Sequence, residues 1–66
     1  MERIHASALH ARLRDLSAAF QRDRSSDAAH IYYSAPSRRW IKVVRDKRDP
    51  NVMELTFHAT CPCSKG

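Results

Sequence analysis

The sequence predicts an α+β domain in which one N-terminal amphipathic helix packs on a three-stranded antiparallel β-meander. Three observations predict it. Residues 2–24 contain neither Gly nor Pro, are rich in alanine, and set Leu9, Leu13, Leu16 and Phe20 at the i, i+4, i+7, i+11 spacing of one helical face. Three later runs, 30–33, 40–44 and 52–60, are rich in β-branched and aromatic residues. The segments between them, Ala35-Pro36-Ser37 and Lys47-Arg48-Asp49-Pro50-Asn51, have the length and composition of hairpin turns.

Taken in order, the helix is expected over about residues 2–24. Its four large apolar side chains share one arc with His5 and Ala6 beside them, while Arg3, His10, Arg14 and Gln21 fall opposite and Ile4 lies off the stripe. Asp23-Arg24-Ser25-Ser26-Asp27 ends it, because Ser and Asp bond their own backbone and compete with helical pairing. Strands are expected over about 29–34, 38–46 and 51–60, with 61–66 a flexible tail. On the third strand Met53, Leu55, Phe57 and Ala59 alternate with Val52, Glu54, Thr56 and His58, and the first set is expected to face the helix. On the second, Ile41 and Val43 are expected inward, since the opposite parity points Lys42 into the core, where an unpaired charge is costly. Trp40, Lys42 and Val44 then face outward. One helix covers one face of such a sheet, so the other is left to water or to a partner.

Sixty-six residues make one small domain, 1–66, and a chain of that size buries only about 60% of its unfolded surface. Self-association, most simply a homodimer, is expected to help it. No apolar run approaches the roughly 20 residues that cross a bilayer, and the N-terminus alternates charged with apolar residues, unlike a secretion signal. The expected location is cytoplasmic, without membrane contact. The single glycine, Gly66, excludes a glycine-rich phosphate loop.

Charge points to a partner. The chain carries a net charge of +5, and residues 38–49 hold six of its twelve basic side chains against two acidic ones, while residues 1–28 carry five against four. A local positive field attracts polyanions, of which nucleic acid is the commonest. The expected binding residues are Arg38, Arg39, Trp40 and Lys42 on the outward face, Tyr32 and His30 across the hairpin, and Arg45, Lys47 and Arg48 at the second turn. Aromatic planes there would stack bases while the cations track phosphates. The alternative is a regulator or inhibitor of the mobile-element type that binds a host protein or its own copy through the same face or a bare strand edge.

His58, Cys61 and Cys63 are soft ligand types that zinc prefers, but three do not close a structural site, and paired zinc cysteines usually stand two or more residues apart. No cofactor is expected, with zinc as the alternative. Neither a nucleophile elbow nor a spaced pair of inward carboxylates is present, so the expected function is non-enzymatic. A helix followed by three strands is similar in topology to small toxin-type ribonucleases and double-stranded-RNA-binding domains. That resemblance implies a ribonuclease as a further alternative, with His30 the first histidine to test. The glycine-containing strand motif and closing helix of those proteins are missing here, so no residue role carries over.

Overall fold

The structure is a computed structural model, and it describes residues 1–62. Five strands and one short helix follow in the order β1 (Glu2–His5), α1 (Leu9–Asp15), β2 (Ala18–Phe20), β3 (His30–Ser34), β4 (Arg39–Arg45) and β5 (Val52–His58). All five strands join one antiparallel sheet in the order β1-β5-β4-β3-β2. The α+β class stands. The three expected strands are present within a residue or two of the expected bounds, but they are the centre of the sheet and not its whole.

The expected helix over 2–24 is corrected to the seven residues of α1, flanked by 3-10 turns at Ala6–Ala8 and Arg22–Arg24 and by the two edge strands. Length and edges explain why. A helix of 23 residues would run roughly 34 Å at 1.5 Å per residue, longer than the 28 Å of the molecule's greatest extent. It would also leave the backbone groups along β3 and β5 unpaired, whereas β1 and β2 pair with them, Glu2 opposite Leu55 and Phe20 opposite Tyr32. Helix propensity is a weak prior against that gain. Local devices mark the breaks: the His5 ring accepts from the Ser7 N–H at 3.1 Å, and Ser17 takes the left-handed conformation, φ 52°, that turns the chain from α1 into β2.

What survives of the helical stripe is its central part. Leu13 is buried and Leu9 and Leu16 are half-buried against Ile41, Val43, Met53 and Leu55, whereas Phe20 sits on β2 and is exposed. The expected parity of β4 and β5 holds, because Ile41, Val43, Met53 and Leu55 all lie beneath α1. Two polar ties fix the helix on the sheet. Arg12 grips Glu2 through two hydrogen bonds, Nε to Oε2 at 2.7 Å and Nη2 to Oε1 at 2.9 Å, joining α1 to β1. At the other end the buried Ser34 hydroxyl donates to the Leu16 carbonyl at 2.6 Å and accepts from Ser37 at 2.9 Å, joining α1 to β3.

Ile31, 2% exposed, belongs to the opposite face, since it pairs with Lys42. The chain after β2 closes over it. The Gln21 N–H donates to the Ile31 carbonyl at 2.8 Å, and the Ser25 hydroxyl accepts from the Ile31 N–H and donates to the Gln21 carbonyl, each at 2.8 Å. Among the described residues, this segment covers the β3 end of the helix-free face.

Candidate functional site

Alternation along the sheet puts Trp40, Lys42 and Val44 of β4 on the helix-free face, with Tyr33 of β3, Thr56 and His58 of β5, and Arg3 of β1 beside them. At one end of this face the Tyr33 and Trp40 rings meet at 4.9 Å with a tilt of 54°, and the Arg24 guanidinium lies 5.4 Å from the Trp40 ring centroid. Arg24 reaches there from the 3-10 turn and also donates to Cys61 Sγ at 3.6 Å. His58, opposite Trp40, shares a 2.8 Å hydrogen bond with the Thr56 hydroxyl.

The other end is a cationic cleft of about 590 Å³. Its walls are Lys42, Val44, Arg45 and Glu54 from the sheet, Lys47 and Arg48 from the β4–β5 turn, Arg3 from β1, and Ala28 and Ala29 from the segment before β3. Five cations thus face two carboxylates, Asp46 and Glu54. Both carboxylates are already engaged: Arg3 pairs with Asp46 and reaches Glu54 at 3.8 Å. Among the described residues no carboxylate lies within ion-pairing distance of Lys42, Arg45, Lys47 or Arg48. Their charge is left to solvent or to a ligand.

Asp46 also shapes the turn that carries these cations. Its Oδ1 accepts the Arg48 N–H at 2.7 Å and the Asp49 N–H at 3.3 Å, and its own N–H donates to the Val52 carbonyl at 2.9 Å. The Arg48 N–H above all, with help from the Asp49 N–H and the Arg3 charge, holds this carboxyl below the usual carboxylate range, against the opposing effect of burial. A fixed carboxylate thus keeps two backbone donors and Arg3 in place while Arg45, Lys47 and Arg48 stay exposed along the cleft.

The structure divides the residues expected to bind. Lys42, Arg45, Lys47 and Arg48 come together at the cleft, with Trp40 further along the same face. Arg38 does not join them; it closes the β3–β4 turn with φ 55°, its N–H donating to the Ala35 carbonyl at 3.2 Å. Arg39 pairs with Ser34 and so carries the parity of the helix side. The placement of Tyr32 and His30 on the outward face is corrected, because they pair with Ile41 and Val43 and share the helix side. There Phe20 packs on both, 5.8 Å from the His30 ring and 5.4 Å from Tyr32, and burial pushes the Tyr32 hydroxyl pKa up.

Tyr33, Arg3 and Arg24 were missed by sequence reasoning. Ile31 held the signal for Tyr33: one fully apolar position beside a polar neighbour fixes the parity of β3 once a cover for it is allowed. Ile4, off the helical stripe, was the signal that residues 2–5 are a strand and that Arg3 belongs to the sheet.

Of the zinc alternative, Cys63 lies outside the described residues, as does the tail beyond residue 62. Among the described residues no group of three or more His, Cys, Asp or Glu side chains is placed to share a metal ion. No described helix is long and apolar enough to cross a membrane. Comparison with known proteins finds no family model, no curated protein and no solved structure that matches this chain.

Proposed function

We propose that this chain is a small non-enzymatic module that binds nucleic acid through phosphate contacts in the cleft of Lys42, Arg45, Lys47 and Arg48. One observation carries the reading. These four cations line a single concavity at the end of the sheet where β4 turns into β5, without a carboxylate partner among the described residues, while Arg3 occupies the two carboxylates nearby. Phosphodiesters are the polyanion that such spaced cations fit, and each neutralised phosphate releases counterions. Four phosphate contacts give a slope of log Kobs against log salt of about −3 to −4. The test is fluorescence anisotropy of a labelled oligonucleotide between low and moderate salt. Lys42→Ala with Arg48→Ala should make the slope shallower by about 2. Binding that ignores salt, or no binding, overturns the reading.

A second reading is favoured by two exposed phenylalanines, Phe20 at 48% and Phe57 at 40%, on the helix side of the sheet. They suit a protein partner, either a host protein that the chain regulates or inhibits, or a second copy in a homodimer. Sedimentation of the wild type against Phe57→Ser separates the two surfaces: a dimer lost in the variant with oligonucleotide affinity unchanged supports this reading. A wild type that is monomeric at all concentrations removes the homodimer. Both readings place the protein in the cytoplasm and need no cofactor, and intact RNA after prolonged incubation is the outcome expected of a non-enzyme.

A further inference from the structure

We infer that the ligand of the helix-free face is a single strand, one base of which stacks on Trp40 in the place now held by the Arg24 guanidinium. The inference rests on the phosphate reading above and names the class of nucleic acid that site takes. Trp40 is half-buried, braced on one side by Tyr33 at 4.9 Å and met by Arg24 at 5.4 Å from its ring centroid. A guanidinium is planar and cationic and occupies an aromatic face much as a base does. A stacked base, with its larger apolar plane, competes with the guanidinium for that face.

Arg24 is also placed to leave. It comes from a short turn outside the sheet and is exposed, so moving its side chain breaks neither the core nor a strand pairing, although it gives up its contact with Cys61 Sγ. Ser25 and Gln21, which anchor that turn on Ile31, hold the backbone while the side chain exchanges.

The strand's path follows β4. Trp40, Lys42 and Val44 project from one face at steps of about 7 Å, so a base on Trp40 sets the adjoining phosphate toward Lys42 and the next ones toward Arg45 and the turn cations. A duplex cannot use this path, because its bases are already stacked inside and offer no free face without being flipped out. Thr56 and His58 border the same line, bonded to each other at 2.8 Å.

The test uses the wild-type protein and two ligands of equal charge, a deoxythymidine hexamer and an abasic hexamer with the same sugar-phosphate backbone. Trp40 is the single tryptophan, so its emission reports the ring alone. The deoxythymidine hexamer is expected to bind about tenfold or more tighter than the abasic strand and to quench the emission, while the abasic strand and a short duplex do neither. Arg24→Ala should widen the ratio of the two affinities, since the ring face is vacated. Equal affinity for the two hexamers overturns the inference and leaves the phosphate reading standing, and a ratio that narrows in Arg24→Ala overturns the displacement of Arg24. No binding by either hexamer overturns both readings.

Discussion

Ser34 shows how much one side chain can hold in a domain this small. Its hydroxyl, 1% exposed with its residue, ties the end of α1 to β3, and removing it leaves the Leu16 carbonyl short of a donor. Ser34→Ala is expected to cost about 1–3 kcal/mol, which in a domain of this size lowers Tm by roughly 4–8 °C per kcal/mol. Thermal unfolding followed by circular dichroism measures it. Carboxylates add a pH dependence. Glu2 is lowered from an ordinary value of 4.5, chiefly by its hydrogen bond to Arg12, and Asp46 from 3.8, chiefly by the Arg48 N–H. Groups lowered in the folded state contribute stability that is full above their unfolded values and is lost as pH falls through the folded ones. Stability should therefore hold down to about pH 5 and decline below it, and Glu2→Gln or Asp46→Asn should flatten that decline. None of this was readable in the chain. Ser34 looks like an end-of-strand serine until the carbonyl of Leu16, eighteen positions earlier, is folded against it.

At the scale of elements, the central meander was legible and the N-terminal region was not. Strands β3, β4 and β5 announce themselves by β-branched and aromatic residues and by turns at both ends, and the cost of burying Lys42 gave the parity of β4 correctly. Residues 2–24 mislead because Leu9 and Leu13 are helical and Leu16 caps the helix on the same stripe, while the alanines on either side, Ala6, Ala8, Ala18 and Ala19, fit any element. What decides is the need of β3 and β5 for partners, a need belonging to the sheet and invisible in a local window. Two substitutions probe these elements. Leu13→Ala, at the one fully apolar contact of α1 buried in the core, should cost about 2–5 kcal/mol. Ser17→Gly should raise Tm, because a non-glycine residue at φ 52° sits in a conformation glycine adopts without strain, the gain partly offset by the freer unfolded chain. Urea unfolding of each variant gives both signs directly.

The whole molecule carries its charge asymmetrically, with the cleft cations gathered where β4 turns into β5 and the helix side carrying the core together with the exposed Phe20 and Phe57. Such a molecule should be stabilised by what neutralises it. A polyanion at about a hundred times its dissociation constant adds roughly 2.7 kcal/mol to folded-state stability. Heparin should therefore raise Tm at low salt, and the rise should shrink in Lys42→Glu with Arg48→Glu. An equal rise in both proteins would remove the cleft from the account. The cleft itself was half legible: its β4 and turn cations stand together in sequence, whereas Arg3 and the Ala28–Ala29 wall arrive from segments whose place depends on the complete sheet.

The pairing of Glu2 with Leu55 also sets a timetable. β1 leaves the ribosome first among these elements, yet its only neighbour, β5, is translated last, so the sheet has no finished edge until both have emerged. A nascent chain halted at residue 50 holds a helix, four unclosed strands and no β5 to receive the first of them. Pairing of β1 with β5 closes the longest loop in the sheet, so it is expected to form after the local hairpins of β3, β4 and β5.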